Sequence, residues 1–118
     1  MYNTTKKLNG TIDLKGDKSI SHRLLMIASL INDKNNIKNL SQCQDVLTTI
    51  KCLQECNIYI DHTENLTTII GGTLKSPSIS LDCKNSGTTI RMLMGLLAGQ
   101  KINSSFRGDT SLMKRPMK

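Results

Sequence analysis

The chain has 118 residues and a formal net charge of +7, from 16 Lys and Arg against 9 Asp and Glu, with a pI near 9.4. That length allows one domain at most, enough for a modest core but short for a self-sufficient enzyme acting on two substrates. The charge favours anionic small molecules over nucleic acid, because the lysines are dispersed and only Tyr2, Tyr59 and Phe106 could stack on bases.

Thr11 to Leu14 alternates like a strand and stops at Gly16. A first helix is predicted from about Ser19 to Ile31, with Ile20, Leu24, Ile27 and Ile31 at helical spacing as the face that packs on a sheet. After a polar turn at residues 32–36, Ile37 to Leu40 reads as a second strand. Gln44 to Cys56 reads as a second helix with Val46, Leu47, Ile50 and Leu53 as its apolar stripe. Ile58 to Ile60 and Thr67 to Ile70 read as two strands joined at His62 to Asn65 and closed by Gly71-Gly72. The order is strand, helix, strand, helix, strand, strand. It then restarts, with a strand at Ile79 to Asp82, a helix from Ser86 to Leu97 ended by Gly99, a strand at Lys101 to Phe106 and a helix start at Gly108-Asp109.

Three turns carry the chemistry. In Gly16 to Arg23 (GDKSISHR), a helix starting near Ser19 directs unpaired N–H groups and the positive end of its dipole forward. Lys18 stands just ahead of that end, and Ser19 and Arg23 share one face at i and i+4, so a phosphate would meet amides, a hydroxyl, an ammonium and a guanidinium. In Asp82 to Arg91, Asn85, Ser86 and Gly87 lie between a strand and a helix, where glycine permits close backbone approach to a ligand. In Arg107 to Met117, Arg115 precedes Pro116, a residue suited to the first position of a helix. Gly108 to Arg115 (GDTSLMKR) repeats the Gly, Asp, Ser and Arg of GDKSISHR at identical offsets, by duplication or by chance. Each turn alone is compatible with an ordinary capped helix end or a solvated arginine. Three in so short a chain favour ligands.

Cys43, Cys52, Cys56 and Cys83 form no C-x-x-C pair and no cluster with histidine, so neither zinc nor another metal is expected and buried thiols are the ordinary reading. His22 and His62 are isolated, and His22 is expected to make a local hydrogen bond. The chain shows no signal peptide and no apolar run of membrane-spanning length, so a cytoplasmic location is expected, without membrane or nucleic-acid partners.

Together the three turns resemble the 5-enolpyruvylshikimate 3-phosphate synthase family, from about Leu8 onward and in the family's order and spacing. GDKSISHR, Asn-Ser-Gly-Thr-Thr-Ile-Arg at 85–91 and Gly-Asp-x-Ser-Leu-x-x-Arg-Pro-Met at 108–117 carry the likeness. The resemblance implies transfer of the enolpyruvyl group of phosphoenolpyruvate to the 5-hydroxyl of shikimate 3-phosphate, on the route to chorismate and the aromatic amino acids. No cofactor is implied, and glyphosate is the implied inhibitor. It implies that Lys18 is catalytic and contacts both substrates, that Ser19 and Arg23 hold shikimate 3-phosphate, and that Asn85, Gly87 and Arg115 hold phosphoenolpyruvate. Asp45 matches a family aspartate near the cleft and is read as structural first.

The implied fold is α/β (α+β), built of repeated strand-helix-strand-helix-strand-strand units. Residues 1–14 would be hinge-proximal strands associated with a second domain, and residues 15–118 the first one and a half repeats of the amino-terminal substrate-binding domain. The acid-base groups and the carboxy-terminal portion would lie beyond Lys118, which makes the chain a fragment expected to be inactive, weakly stable and open on an apolar face. The alternatives are a non-catalytic remnant that binds phosphate metabolites, and a small basic nucleic-acid-binding protein whose affinity would fall steeply with salt. The related transferase acting on UDP-N-acetylglucosamine carries a cysteine before its Arg-Pro, where Gly108 to Lys114 has none.

Overall fold

A computed structural model describes residues 7–117 as a mixed α/β unit. Its elements are α1 (Lys18–Leu30), β1 (Lys34–Lys38), α2 (Gln44–Glu55), β2 (Tyr59–His62), β3 (Leu66–Ile70), β4 (Leu81–Asp82), α3 (Gly87–Gly99), β5 (Phe106–Arg107) and α4 (Thr110–Met113). β1, β3 and β2 form an antiparallel sheet in that order, while β4 and β5 pair in parallel across α3.

α2 is the central element. It packs on α1 and α3 and also reaches β2 and β4. Val46, Ile50 and Leu53 are buried as the stripe requires, but so are Thr48, Thr49 and Cys52 on the adjoining face. The core continues through Leu25 of α1, Ile69 of β3, Leu81 of β4, Leu93 and Leu97 of α3 and Leu112 of α4. Cys52, Cys56 and Cys83 are free thiols within it, and burial pushes Cys56 up to about 11.

Several elements differ from the sequence reading. Thr11–Leu14 is not a strand: among the described residues it has no ladder partner, and Ile12 and Leu14 are 83% and 73% exposed. Alternation marks a segment able to bury one face, and a strand forms only where a neighbour completes its hydrogen bonds. Residues 7–10 of the expected hinge-proximal segment are likewise irregular and exposed, and residues 1–6 lie outside the described residues.

The outward face of α1 is also corrected. Ile20, Leu24, Ile27 and Ile31 are 40–57% exposed, and the buried face is Ser21, His22, Leu25, Met26, Ala28 and Ser29. Small residues on that face allow close helix approach. Their hydroxyls are satisfied locally, Ser21 donating to the Asp17 carbonyl and Ser29 to that of Met26.

β1 begins at Lys34, three residues earlier than expected, because pairing from Lys34↔Ile70 to Lys38↔Leu66 overrides the poor strand propensity of Lys-Asn-Asn. It ends at Lys38, and the next residue, Asn39, adopts a left-handed φ of 55°. β4 and β5 shrink to two residues each, since parallel pairing extends only over Leu81↔Phe106 and Asp82↔Arg107. Pro116 and Met117 are irregular rather than helical, α4 having already begun at Thr110.

Candidate anion site at three helix starts

Each ligand turn is built by a side chain that caps its own helix. Asp17 accepts from the Ile20 N–H (2.8 Å), Ser86 from the Thr89 N–H (3.1 Å) and Asp109 from the Leu112 N–H (2.8 Å). Two corrections follow for α1. The helix starts at Lys18, so Lys18 occupies its first turn instead of standing ahead of it, and the Asp17 carboxylate already takes one amide and part of the dipole. The attraction for an anion therefore rests more on the cations than on the bare helix end.

The Gly-Asp-x-Ser repeat has a structural meaning: both aspartates are caps, and both glycines lie against backbone. A Cβ at Gly16 would collide with the Asn39 carbonyl, and one at Gly108 with the Leu112 side chain.

The starts of α1 and α3 meet at Asp45, in the first turn of α2. Its carboxylate binds the Lys18 ammonium at 2.7 Å, and its backbone carbonyl accepts from the Thr89 hydroxyl of α3 at 3.2 Å. The hydrogen bond and charge of Asp45 raise the pKa of Lys18, which stays protonated through the neutral range. One of three ammonium donors serves Asp45, leaving two for a ligand. Ser19 and Arg23 are exposed on the same first turns of α1.

On the α3 side, a Cβ at Gly87 would stand 3.1 Å from Arg115 Nη1 and 3.4 Å from Arg91 Nη1. Glycine leaves room for two guanidinium groups over the helix start, and Arg115 faces the start of α3 rather than a helix begun at Pro116. Arg91 was missed. The signal was available, because Gly87 and Arg91 are spaced i and i+4 like Ser19 and Arg23.

Two like charges within a few ångströms repel by about 1–3 kcal/mol at water-like to surface-like dielectric. Asp109 feels the charge of Arg115, but its oxygens are engaged by the Leu112 N–H and by Asn85 Nδ2 at 2.7 Å. A bound anion would relieve that repulsion. Asn85, expected to contact ligand, thus ties the α3 and α4 turns together with its amide nitrogen. His62 is structural, with its ring nitrogens paired to Thr67 and Gln42.

A separate recess between α2 and the β4–β5 ladder is lined by Lys51, Lys84 and Arg107. There Asp82 already pairs with Lys84 (2.9 Å) and Arg107 (3.3 Å), which neutralises much of its attraction for anions. Among the described residues no cluster of His, Cys, Asp and Glu could hold a metal ion, and no helix is long and apolar enough to cross a membrane.

Fold and site together define an α/β unit that gathers cations at the starts of neighbouring helices, a candidate site for anions. The profile of the family described as EPSP synthase (3-phosphoshikimate 1-carboxyvinyltransferase) matches residues 2–118, and the chain belongs to that family. It is 44% identical over 121 residues to the 3-phosphoshikimate 1-carboxyvinyltransferase of Desulforamulus reducens, covering 99% of this chain and 28% of that protein. With the Leuconostoc mesenteroides protein of the same name it shares 45% identity, over 94% of this chain and 26% of the relative. The solved EPSP synthase from Acinetobacter baumannii superposes with a TM-score of 0.86 at 36% identity, covering 92% of this chain and 26% of that one. The chain spans about a quarter of the length of the relatives it matches.

Proposed function

We propose that this chain supplies one face of an enolpyruvyl transferase site, holding shikimate 3-phosphate at the start of α1 and phosphoenolpyruvate at the start of α3. Ser19 and Arg23 take the shikimate phosphate. Gly87 and Arg115, joined by Arg91 and with Asn85 bracing the loop, take the carboxylate and phosphate of phosphoenolpyruvate. Lys18 lies between and addresses both. The single observation that carries this reading is Asp45, which pairs with Lys18 through its carboxylate and with Thr89, two residues after Gly87, through its carbonyl.

In the reaction, the 5-hydroxyl oxygen gives its proton to a base and adds to C2 of phosphoenolpyruvate while an acid protonates the methylene carbon. The resulting ketal phosphate then loses phosphate and a methyl proton to restore the enol ether. This chain's share is positioning and charge neutralisation by Lys18 and the arginines, which act where negative charge grows on the departing phosphate. The proton-transferring groups are assigned to the part of the polypeptide that the relatives have beyond this quarter. To the same part we assign the partner strands of residues 7–14 and the cover for the apolar face of α1. The free thiols suit a reducing cytoplasm.

Calorimetry with shikimate 3-phosphate tests the binding half. Arg23→Ala should weaken binding about tenfold to a hundredfold, the loss of one charge-assisted phosphate contact. Equal heats for the two chains would refute the assignment. Turnover is expected only when the chain is supplied with the remaining three quarters of a relative, and turnover by the 118 residues alone would contradict this division of labour.

A further inference from the structure

α1, α2 and α3 are joined inside the core by an unbroken line of polar side chains. His22 Nδ1 lies 2.8 Å from Thr49 Oγ1, which lies 2.8 Å from Thr89 Oγ1, and the Thr89 hydroxyl donates to Ser86 Oγ (2.6 Å) and to the Asp45 carbonyl (3.2 Å). His22, Thr49, Thr89 and Ser86 are each no more than 1% exposed. His22 Nε2 is buried without a hydrogen-bond partner among the described residues. The sequence reading expected a local bond for His22, but its partner is 27 residues away on another helix.

Proton counting orients the line. The single Thr89 proton is directed to Ser86 Oγ and the Asp45 carbonyl, and a carbonyl only accepts. Thr49 must then donate to Thr89, and His22 must donate from Nδ1 to Thr49. Nδ1 therefore carries a proton, and because burial disfavours the charged ring, Nε2 is a bare acceptor. The other tautomer would cost a hydrogen bond in the line and leave a buried donor at Nε2 as well. Burial pushes the His22 pKa below its usual value. The charged groups that act on it are Asp45 of α2, which raises it, and Lys18 of α1, which lowers it.

The line ends on both halves of the site. Ser86 caps α3 immediately before Gly87, and Asp45 holds Lys18. We propose that His22, Thr49 and Thr89 form a positioning relay that sets the spacing between the Lys18–Arg23 and Gly87–Arg115 halves of the anion site. None of the three touches a ligand. The relay's effect on affinity rests on the reading under Proposed function, whereas its proton arrangement does not.

The test uses the isotope-labelled 118-residue chain, with imidazole ¹⁵N spectra and shikimate 3-phosphate titrations. His22 should show the Nδ1–H tautomer and remain neutral below pH 6.5. Thr49→Ser and His22→Asn keep a hydroxyl and an N–H where the relay needs them, and should bind within about twofold of the parent. Thr49→Val and His22→Leu remove them. Those two should bind at least about fivefold more weakly and shift the backbone amides of both Lys18–Ser21 and Gly87–Ile90.

A proton on Nε2, or identical amide positions and affinities for Thr49→Val and Thr49→Ser, would overturn the relay. Should Thr49→Val not fold, the His22→Asn and His22→Leu pair decides by the same criteria. Should the parent chain not bind shikimate 3-phosphate, the proposed function falls. The relay then stands or falls on the tautomer and on whether both sets of amides move together.

Discussion

At the scale of single residues, the proposed site rests on cations that are incompletely paired. Lys18 has one carboxylate partner and two spare donors, and Arg91 and Arg115 face each other over Gly87. Arg91→Ala should therefore weaken phosphoenolpyruvate binding about tenfold to a hundredfold while changing stability by less than about 0.5 kcal/mol, because an exposed cation relieved of a like-charged neighbour loses little. Calorimetry and a urea melt on the same variant check both halves, and unchanged affinity would remove Arg91 from the site.

Asp109 gives a pH signature. The Leu112 N–H and the Asn85 amide hold its carboxyl below the ordinary value of 3.8, so the folded state binds its proton less readily than the unfolded chain. Its contribution is complete above 3.8 and is lost as pH falls through its own lower value. The Leu112 amide and the Asn85 side-chain NH₂ resonances should therefore hold steady down to the ordinary carboxylate range and move only below it. Movement beginning near neutrality would contradict the Asn85–Asp109 tie.

At the scale of elements, what was legible in the sequence was whatever local chemistry decides. Asp17, Ser86 and Asp109 sit where helices begin because short oxygen-bearing side chains satisfy the first amides. α1 and α3 were accordingly placed to within two residues, and α2, whose start no side chain caps, was placed by its apolar stripe. The elements misread were those decided by a distant partner: Thr11–Leu14 without a ladder, Lys34–Lys38 pulled into one by Leu66–Ile70, and α1 turned so that Ser21, His22 and Ser29 face inward. The site followed the same division. Turn chemistry marks Lys18, Gly87 and Arg115 as candidates, whereas the approach of Arg91 to Arg115 needed α3 and α4 folded together, and the line from His22 to Thr89 needed three helices.

The α3–α4 arrangement depends on how closely its turns approach. A methyl at Gly108 would press on Leu112 and stand 2.8 Å from the Lys84 carbonyl, which also accepts from the Asp109 N–H. Gly108→Ala should destabilise the chain by about 1–3 kcal/mol, the ordinary cost of overpacking, seen as a lowered urea midpoint with an unchanged slope. A midpoint equal to that of the parent would show that the two turns have room to separate.

At the scale of the whole molecule, the chain is more open than its length requires. Its radius of gyration is 17.7 Å, against about 13.5 Å for a compact domain of this size. It exposes 8222 Å², where about 6,400 Å² is usual for its mass. Much of the excess is apolar, including Leu8, Ile12 and Leu14 and the outer stripe of α1. If that stripe is covered by further family polypeptide, Ile27→Glu should leave the urea midpoint of the chain unchanged and abolish turnover restored by the remaining portion of a relative. Full restoration with the variant would show that the stripe is not that interface.

The central claim is that cations at two helix starts serve one pair of anions. Its most direct test is a ¹H–¹⁵N titration of phosphoenolpyruvate into the chain saturated with shikimate 3-phosphate. The amides of Lys18, Ser19, Gly87 and Thr88 should move together with one midpoint. A response centred on Lys51, Lys84 and Arg107, or one confined to the α3 start while α1 stays silent, would contradict it.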